Sequence, residues 1–362
     1  MRQAHASCSA MTAPEVTFER EGRAGFITLN RPETLNALTL GMIRHIHRML
    51  ARWADDPAVA RVAIRANGTR AFCAGGDVRA LHGPGLARSP EFAEFYREEY
   101  RLNTFIKRYP KPFVALVDGL VMGGGVGVSL HGSHRVAGDR MVFAMPETGI
   151  GLFPDVGTTH LLSRLPGEIG LYLGLTGARV EARDALWSGI ATHFVPSRKF
   201  PALAAALASA DDVDRCLGDF AEDPGPGPLW QRRATIDRLF ASPTLRDLLS
   251  GLARDSDGFA TIAHAELQTK SPTSLAITFH QLKNGRALSF EEAIAQEFRI
   301  VCRIPLGQDF FEGIRAIVID KDKAPRWQPA TLEEVSPEMI DRYFAPLAAE
   351  LDLDNLASAA AG

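Results

Sequence analysis

The chain has 362 residues, 46% hydrophobic and 23% charged, with 40 Lys and Arg against 43 Asp and Glu and a formal charge of −3. That is enough for one large domain or two smaller ones, and the near-balance of charge excludes a nucleic-acid binder working through a basic face. No apolar run is long enough to cross a membrane, and Cys8, Cys73, Cys216 and Cys302 form no CxxC pair, so neither a disulfide frame nor a zinc site is expected and a reducing, cytoplasmic compartment fits.

Residues 1–12 lack the apolar stretch of a secretory signal and read as a disordered leader. Residues 16–20 and 24–29 read as strands joined through Glu21, Gly22 and Arg23. Thr39 is the expected N-cap of a helix running to about Trp53 and stopped before Pro57. A strand is expected over 59–65, a helix over 91–107 stopped by Tyr109 and Pro110, and a strand over 113–117. Gly123, Gly124 and Gly125 then open a helix expected to reach His131. Strands alternating with helices point to an α/β core. From Pro201 the pattern turns helical, broken by a Pro- and Gly-rich stretch at 222–228. Ser271 before Pro272 is a helix start, and Ser289 with Glu292 forms a capping-box pattern. The expected organisation is a leader over 1–12, a core carrying the site over 13–200, a helical C-terminal region over 201–350, and a frayed tail over 351–362.

Three segments have unusual chemistry: FCAGGD from Phe72, MGGGVG from Met122, and AMPETGIGLFPD from Ala144. Glycine lets a ligand approach the backbone, and N–H groups at a helix start favour an anion. Two such loops facing each other would polarise a carbonyl oxygen under attack. The plainer reading is that these glycines only permit turns and close packing. No GxxxxGK[ST] phosphate loop is present, and the final glycine of a dinucleotide fingerprint is missing. Glu147 and Asp155 each follow a proline and sit among Met145, Ile150, Leu152 and Phe153. Apolar surroundings disfavour a charged carboxyl and make it a better proton-transfer group near neutral pH. Alternatively, Glu147 caps a turn and Asp155 is a loop residue. His131 with His134, and His45 with His47, lack an acidic third ligand at metal-site spacing, so no metal site is expected. Cys73 reads as buried packing rather than as a nucleophile. Lys321, Lys323 and Arg326 form a basic cluster that suits a phosphate or is simply solvated.

Taken together with Asn30–Arg31–Pro32 and Asn36–Ala37–Leu38, these segments resemble the crotonase (enoyl-CoA hydratase/isomerase) superfamily. The likeness is greater to its 3-hydroxyisobutyryl-CoA hydrolase branch, carried by FCAGGDVRAL from Phe72, FYREEYRLN from Phe95, MGGGVGVSLHG from Met122 and FAMPETGIGLFPDVG from Phe143. LTGARV from Leu175, GIATHFVP from Gly189, KSPTSLAIT from Lys270 and DFFEGIRAIVIDKDKAPRWQPA from Asp309 extend it to about residue 345. The resemblance implies a crotonase/ClpP-like spiral of ββα units with a helical C-terminal region. It implies hydrolysis of a short 3-hydroxyacyl-CoA, with a place in valine catabolism. The oxyanion hole it implies falls on the N–H groups of Gly76 and Gly124, beside Gly75 and Gly123. Glu147 matches one of the two acids of a hydratase; Gly127 stands where the other would be. Asp155 and Glu99 match acids of the hydrolase branch, and Lys321 and Lys323 are expected to bind the CoA phosphates. No cofactor is implied, since CoA belongs to the substrate. Relatives often form trimers or hexamers, and the enlarged C-terminal region leaves the state of this chain open. The two competing expectations are a hydratase or isomerase of the same fold, and a non-catalytic binding protein on that fold.

Overall fold

The computed structural model describes residues 13–357. The leader expected over 1–12, and residues 358–362, lie outside the described residues. β1 (Val16–Glu21) and β2 (Ala24–Leu29) pair antiparallel across Gly22, whose φ of +56° suits glycine. α1 (Leu40–Asp55) begins at Thr39, whose hydroxyl accepts from Met42 N. There follow β3 (Arg61–Ala66), β4 (Ala71–Cys73), α2 (Val78–Leu86) and α3 (Pro90–Lys107). Next come β5 (Phe113–Val117), β6 (Leu120–Met122), the single turn α4 (Gly124–Gly127), β7 (His134–Ala137) and β8 (Val142–Ala144). The first half closes with α5 (Thr158–Leu162), α6 (Ile169–Thr176), β9 (Val180–Glu181), α7 (Ala182–Ser188) and β10 (His193–Phe194).

Two sheets result, one ordered β1-β2-β3-β5-β7-β10 and one ordered β4-β6-β8-β9. All pairings are parallel except β1 with β2 and β8 with β9. The chain steps from the larger sheet to the smaller three times, from β3 to β4, β5 to β6 and β7 to β8. This is the expected spiral. It also has a geometric consequence: β4, β6 and β8 run side by side in one direction, so the segments that follow them emerge together at one edge of the smaller sheet. Ligand sites in parallel sheets lie at such carboxyl ends.

The second half comprises α8 (Phe200–Ser209), α9 (Val213–Phe220), α10 (Pro228–Phe240), α11 (Leu245–Arg254) and α12 (Gly258–Leu267). It ends with α13 (Pro272–Gly285), α14 (Phe290–Val301), α15 (Asp309–Ile314) and α16 (Pro337–Phe344). Both expected starts are formed. Ser271 Oγ accepts from Ser274 N, and the reciprocal bonds between Ser289 and Glu292 close at 2.8 and 3.1 Å. α8 and α9 form a satellite core on the outer face of the larger sheet, with Leu203, Leu207 and Leu217 against Phe26, Val114 and Val136. α13 and α14 enter the main core instead, where Leu275 and Phe298 belong to the same buried cluster as Phe72 and Phe143.

Three expectations are corrected. The boundary at 200/201 does not divide the core, because α13 and α14 pack into it. The helix expected to reach His131 stops at Gly127: three of its four residues are glycine, the weakest helix former after proline. The tail is not frayed as far as residue 357. Leu351 and Leu356 are buried, and the guanidiniums of Arg101 on α3 and of Arg108 just past its end donate to the carbonyls of Asp352 and Leu353.

Candidate active site

The segments after β4 and β6 bring their glycines together. Gly75 adopts φ +109°, and a Cβ there would lie 3.8 Å from Gly124 N. A Cβ on Gly124 would lie 3.2 Å from Gly76 N and would collide with Glu99 Oε1. The amides of Gly76 and Gly124 are therefore neighbours. Neither donates to an acceptor among the described residues. Gly124 is the first residue of α4, where N–H groups are free by geometry and carry partial positive charge.

The carboxyls reach the same place from two elements. Glu147 opens a short 3-10 turn, Glu147–Ile150, after β8. Its Oε1 would lie 3.2 Å from a Cβ on Gly123. Glu99 comes from α3, and Asp155 follows the 3-10 turn. All three are sealed from solvent, at 5%, 2% and 3% exposure. Burial, reinforced by the nearby Asp155 carboxyl, pushes Glu147 well above the usual carboxylate range. Glu99 is raised by the same two causes in the same order. Asp155 is also raised by burial, although the Tyr100 hydroxyl, donating to Oδ2 at 2.7 Å, works the other way. Three acids that resist losing their protons thus surround two amides that lack an acceptor.

Asp155 is held in an unusual backbone. Val156 has φ +55° and Gly157 φ +85°. A β-branched residue in that region costs on the order of 1–2 kcal/mol and persists only when its surroundings enforce it. They do. His131 Nε2 donates to Val156 O at 2.6 Å, and Gln281 Nε2 to Pro154 O at 2.6 Å. The Thr158 hydroxyl donates to Asp155 O at 2.7 Å. Glu297 on α14 accepts from Gly157 N at 2.6 Å and from Thr159 N at 2.8 Å. The helical C-terminal region therefore reaches the site through Gln281 and Glu297.

Seven of the nine expected site residues meet here: Gly75, Gly76, Glu99, Gly123, Gly124, Glu147 and Asp155. Lys321 and Lys323 are exposed on the loop after the π-helical turn Arg315–Ile319 and touch none of these seven. Arg315 pins that loop by pairing with Asp320 at 2.8 Å and Asp322 at 2.7 Å. Gly127 leaves room, but the room is taken. A Cβ there would meet Asn103 Nδ2 at 2.6 Å. Sequence reasoning missed Tyr96, Tyr100 and Asn103. The signal was available: with Glu99 they fall at i, i+4, i+7 and i+3 on α3, one polar stripe on a face that is buried. It also missed Glu297 and Gln281, which carry no local motif. Cys73 is fully buried with its thiol pushed up to about 12 by burial, as expected for packing.

Burial shifts other groups as well, and the sign of the resulting pH dependence can be worked out. His47, His131 and His160 are lowered to about 4, 3 and 4, chiefly by burial. They cost stability only as pH falls below their unfolded value of about 6.5. Glu297 is raised by burial to about 8. A raised acid favours the fold while protonated and loses that contribution as pH climbs from about 4.3 toward its folded value. Between pH 6.5 and 8 the acids act alone. The thermal midpoint is expected to fall across that window, by about 1 kcal/mol of stability per pH unit from Glu297. Calorimetric scans at several pH values check this; a flat or rising midpoint would count against it.

The fold and site define a class, and the comparisons agree with it. A family model for enoyl-CoA hydratase/isomerase matches residues 24–344, and the chain belongs to that family. Among curated relatives, 3-hydroxyisobutyryl-CoA hydrolase, mitochondrial, of Danio rerio is 45% identical, covering 94% of this chain and 91% of the relative. The protein of the same name from Homo sapiens is 41% identical, covering 92% and 89%. Among solved structures, a carnitinyl-CoA dehydratase from Mycobacterium thermoresistibile aligns with TM-score 0.91 at 41% identity, covering 95% of this chain and all of that one. An enoyl-CoA hydratase from Rhodobacter sphaeroides aligns at 0.86 with 44% identity, covering 92% and 98%. The relatives' names place them in mitochondria, so they do not support the cytoplasmic setting expected above. No helix among the described residues is long and apolar enough to cross a membrane.

Proposed function

We propose that this chain hydrolyses the thioester of 3-hydroxyisobutyryl-CoA to 3-hydroxyisobutyrate and free CoA. The observation that carries the reading is the buried Glu147 carboxyl beside two unpaired glycine amides, with Asn103 against Gly127 where a hydratase would carry its other acid. The thioester oxygen accepts hydrogen bonds from Gly76 N–H and Gly124 N–H, which stabilise the charge that develops on it. Glu147 either attacks the carbonyl carbon, giving an anhydride that water then cleaves, or takes a proton from an attacking water. CoA departs as a thiolate and is protonated by solvent. Asp155 and Glu99 orient the acyl hydroxyl and the water. No oxidation state changes and the protons balance through Glu147 and water, so the reaction calls for no metal or redox cofactor.

The two solved structures are named as a dehydratase and a hydratase, which favours alkene hydration as the second reading. Hydration needs one group to remove a proton from water and one to deliver a proton to carbon. Gly127 supplies neither. Free-thiol release from 3-hydroxyisobutyryl-CoA, set against hydration of crotonyl-CoA, tests the choice. Faster hydration than cleavage would overturn the hydrolase reading. Single turnover in oxygen-18 water, with label sought in Glu147, separates the anhydride route from the water route.

Lys321 and Lys323 are proposed to meet the CoA phosphates, as their exposure on a pinned loop supports. Replacing both by alanine should raise KM for the CoA thioester about fivefold to tenfold with kcat unchanged. The same acyl group on N-acetylcysteamine, which has no phosphate, should show no change; an equal rise in its KM would refute the assignment. Free Cys73, Cys216 and Cys302 suit a reducing compartment. We propose a cytoplasmic one, and cell fractionation tests it against the mitochondrial setting of the relatives.

A further inference from the structure

Around the site, Glu99 Oε1, Glu147 Oε2, Tyr96 Oη and both amide atoms of Asn103 have no hydrogen-bond partner. Buried polar atoms are almost always paired, so unpaired ones gathered at one place mark where a ligand's polar groups belong. Apart from Asn103, which packs against Gly127, there are three such atoms. They are not alike. Two are carboxyl oxygens, and a carboxyl keeps an acceptor lone pair even while it holds its proton. Tyr96 is a neutral donor. Burial first, and then the nearby Asp155, Glu99 and Glu147 carboxyls, hold its phenol well above the usual tyrosine range, so it stays protonated.

Its placement is fixed by packing. The ring lies 5.1 Å from Phe92, 5.4 Å from Phe95 and 5.8 Å from Tyr100 between centroids, each contact tilted or edge-on. Tyr100 sits one helical turn further along α3 and carries the hydroxyl that holds Asp155. Tyr96, Glu99 and Tyr100 thus lie on one face, where the Tyr96 hydroxyl and Glu99 Oε1 both stand without a partner.

We propose that Tyr96 is a specificity-determining residue, donating its O–H to the oxygen of the acyl 3-hydroxyl while Glu99 accepts that hydroxyl's own hydrogen. The inference rests on the hydrolase reading above. A hydroxyl both donates and accepts, so it satisfies both atoms at once. An acyl group without it leaves both buried and unpaired, the situation in which polar sites reject analogues most strongly. The preference for a 3-hydroxyacyl group is thereby set by a donor and an acceptor three residues apart on one helix.

The test compares the enzyme with Tyr96→Phe on 3-hydroxyisobutyryl-CoA and isobutyryl-CoA, following free thiol. Tyr96→Phe keeps the ring and its three aromatic neighbours. The expected result is a fall of about 10- to 100-fold in kcat/KM for the hydroxylated substrate and none for isobutyryl-CoA, which also shows that the variant is folded. Where isobutyryl-CoA turns over too slowly to follow, affinities for the non-hydrolysable thioethers with and without the hydroxyl give the same ratio. An equal fall on both substrates, or no fall on either, overturns the role of Tyr96 alone. Failure of the unsubstituted enzyme to release thiol from either substrate overturns the hydrolase reading, and this inference with it.

Discussion

Glu147→Gln is expected to lower kcat for thioester cleavage by about 10³-fold or more while changing KM only a few-fold. The substitution keeps size and shape, so the 3-10 turn that Glu147 opens should persist. What it removes is the basic oxygen. An amide neither attacks a thioester carbonyl at a useful rate nor takes a proton from water. The pattern of kcat falling with KM steady is the signature of an interaction made only in the transition state. The amides of Gly76 and Gly124 remain, so a residual rate above the uncatalysed one is expected from carbonyl polarisation alone. Steady-state thiol release measures both. A fall below tenfold would mean that Asp155 or Glu99 drives the chemistry, and the assignment to Glu147 would not survive. The variant should also gain stability, because it removes a buried carboxyl that resists ionising.

Glu297→Ala is the second large effect, and it acts at a distance. The carboxyl accepts from two buried amides, Gly157 N and Thr159 N. Removing it leaves both unpaired, at about 1–3 kcal/mol each, and opens a cavity besides. A loss of about 3–5 kcal/mol of stability is expected from chemical denaturation. The functional consequence is separate. Without that clamp the left-handed turn at Val156 and Gly157 is free to relax, and Asp155 moves with it. At temperatures where the variant is fully folded, kcat should drop at least tenfold with a smaller change in KM, since misplacing a group by about 1 Å can cost 10²-fold. Glu297→Gln keeps an acceptor for one amide and should recover most of the rate. Normal turnover by folded Glu297→Ala would show that His131, Gln281 and Thr158 suffice to hold the turn.

The parts of this molecule readable from its sequence are those set by local rules. The hairpin at Gly22, the start at Thr39, and the caps at Ser271 and Ser289 depend on a few adjacent residues, and each formed where its chemistry required. The two glycine loops and Glu147 were legible because a carbonyl-polarising site needs bare backbone beside an acid. The overestimates came from extending a pattern past its local support, as in the helix after Gly124, where three glycines exhaust the helical tendency. The tail is the opposite case. Its composition suggests fraying, yet Arg101 and Arg108 lie some 250 positions earlier in sequence and pin its carbonyls. Glu297 and Gln281 were invisible for the same reason. Nothing near them in sequence hints that each satisfies a buried group on a loop more than 100 residues away. Their role exists only once α13 and α14 have packed.

The competition between Asn103 and position 127 for one small volume constrains how this site can change its chemistry. A side chain added at 127 runs into the amide of Asn103. Asn103 must therefore swing aside or give way to a smaller residue for a second acid to fit there. A smaller residue at 103 with glycine kept at 127 would leave a void, at roughly 1–3 kcal/mol. The choice between one acid and two is thereby tied to position 103 as well as to position 127.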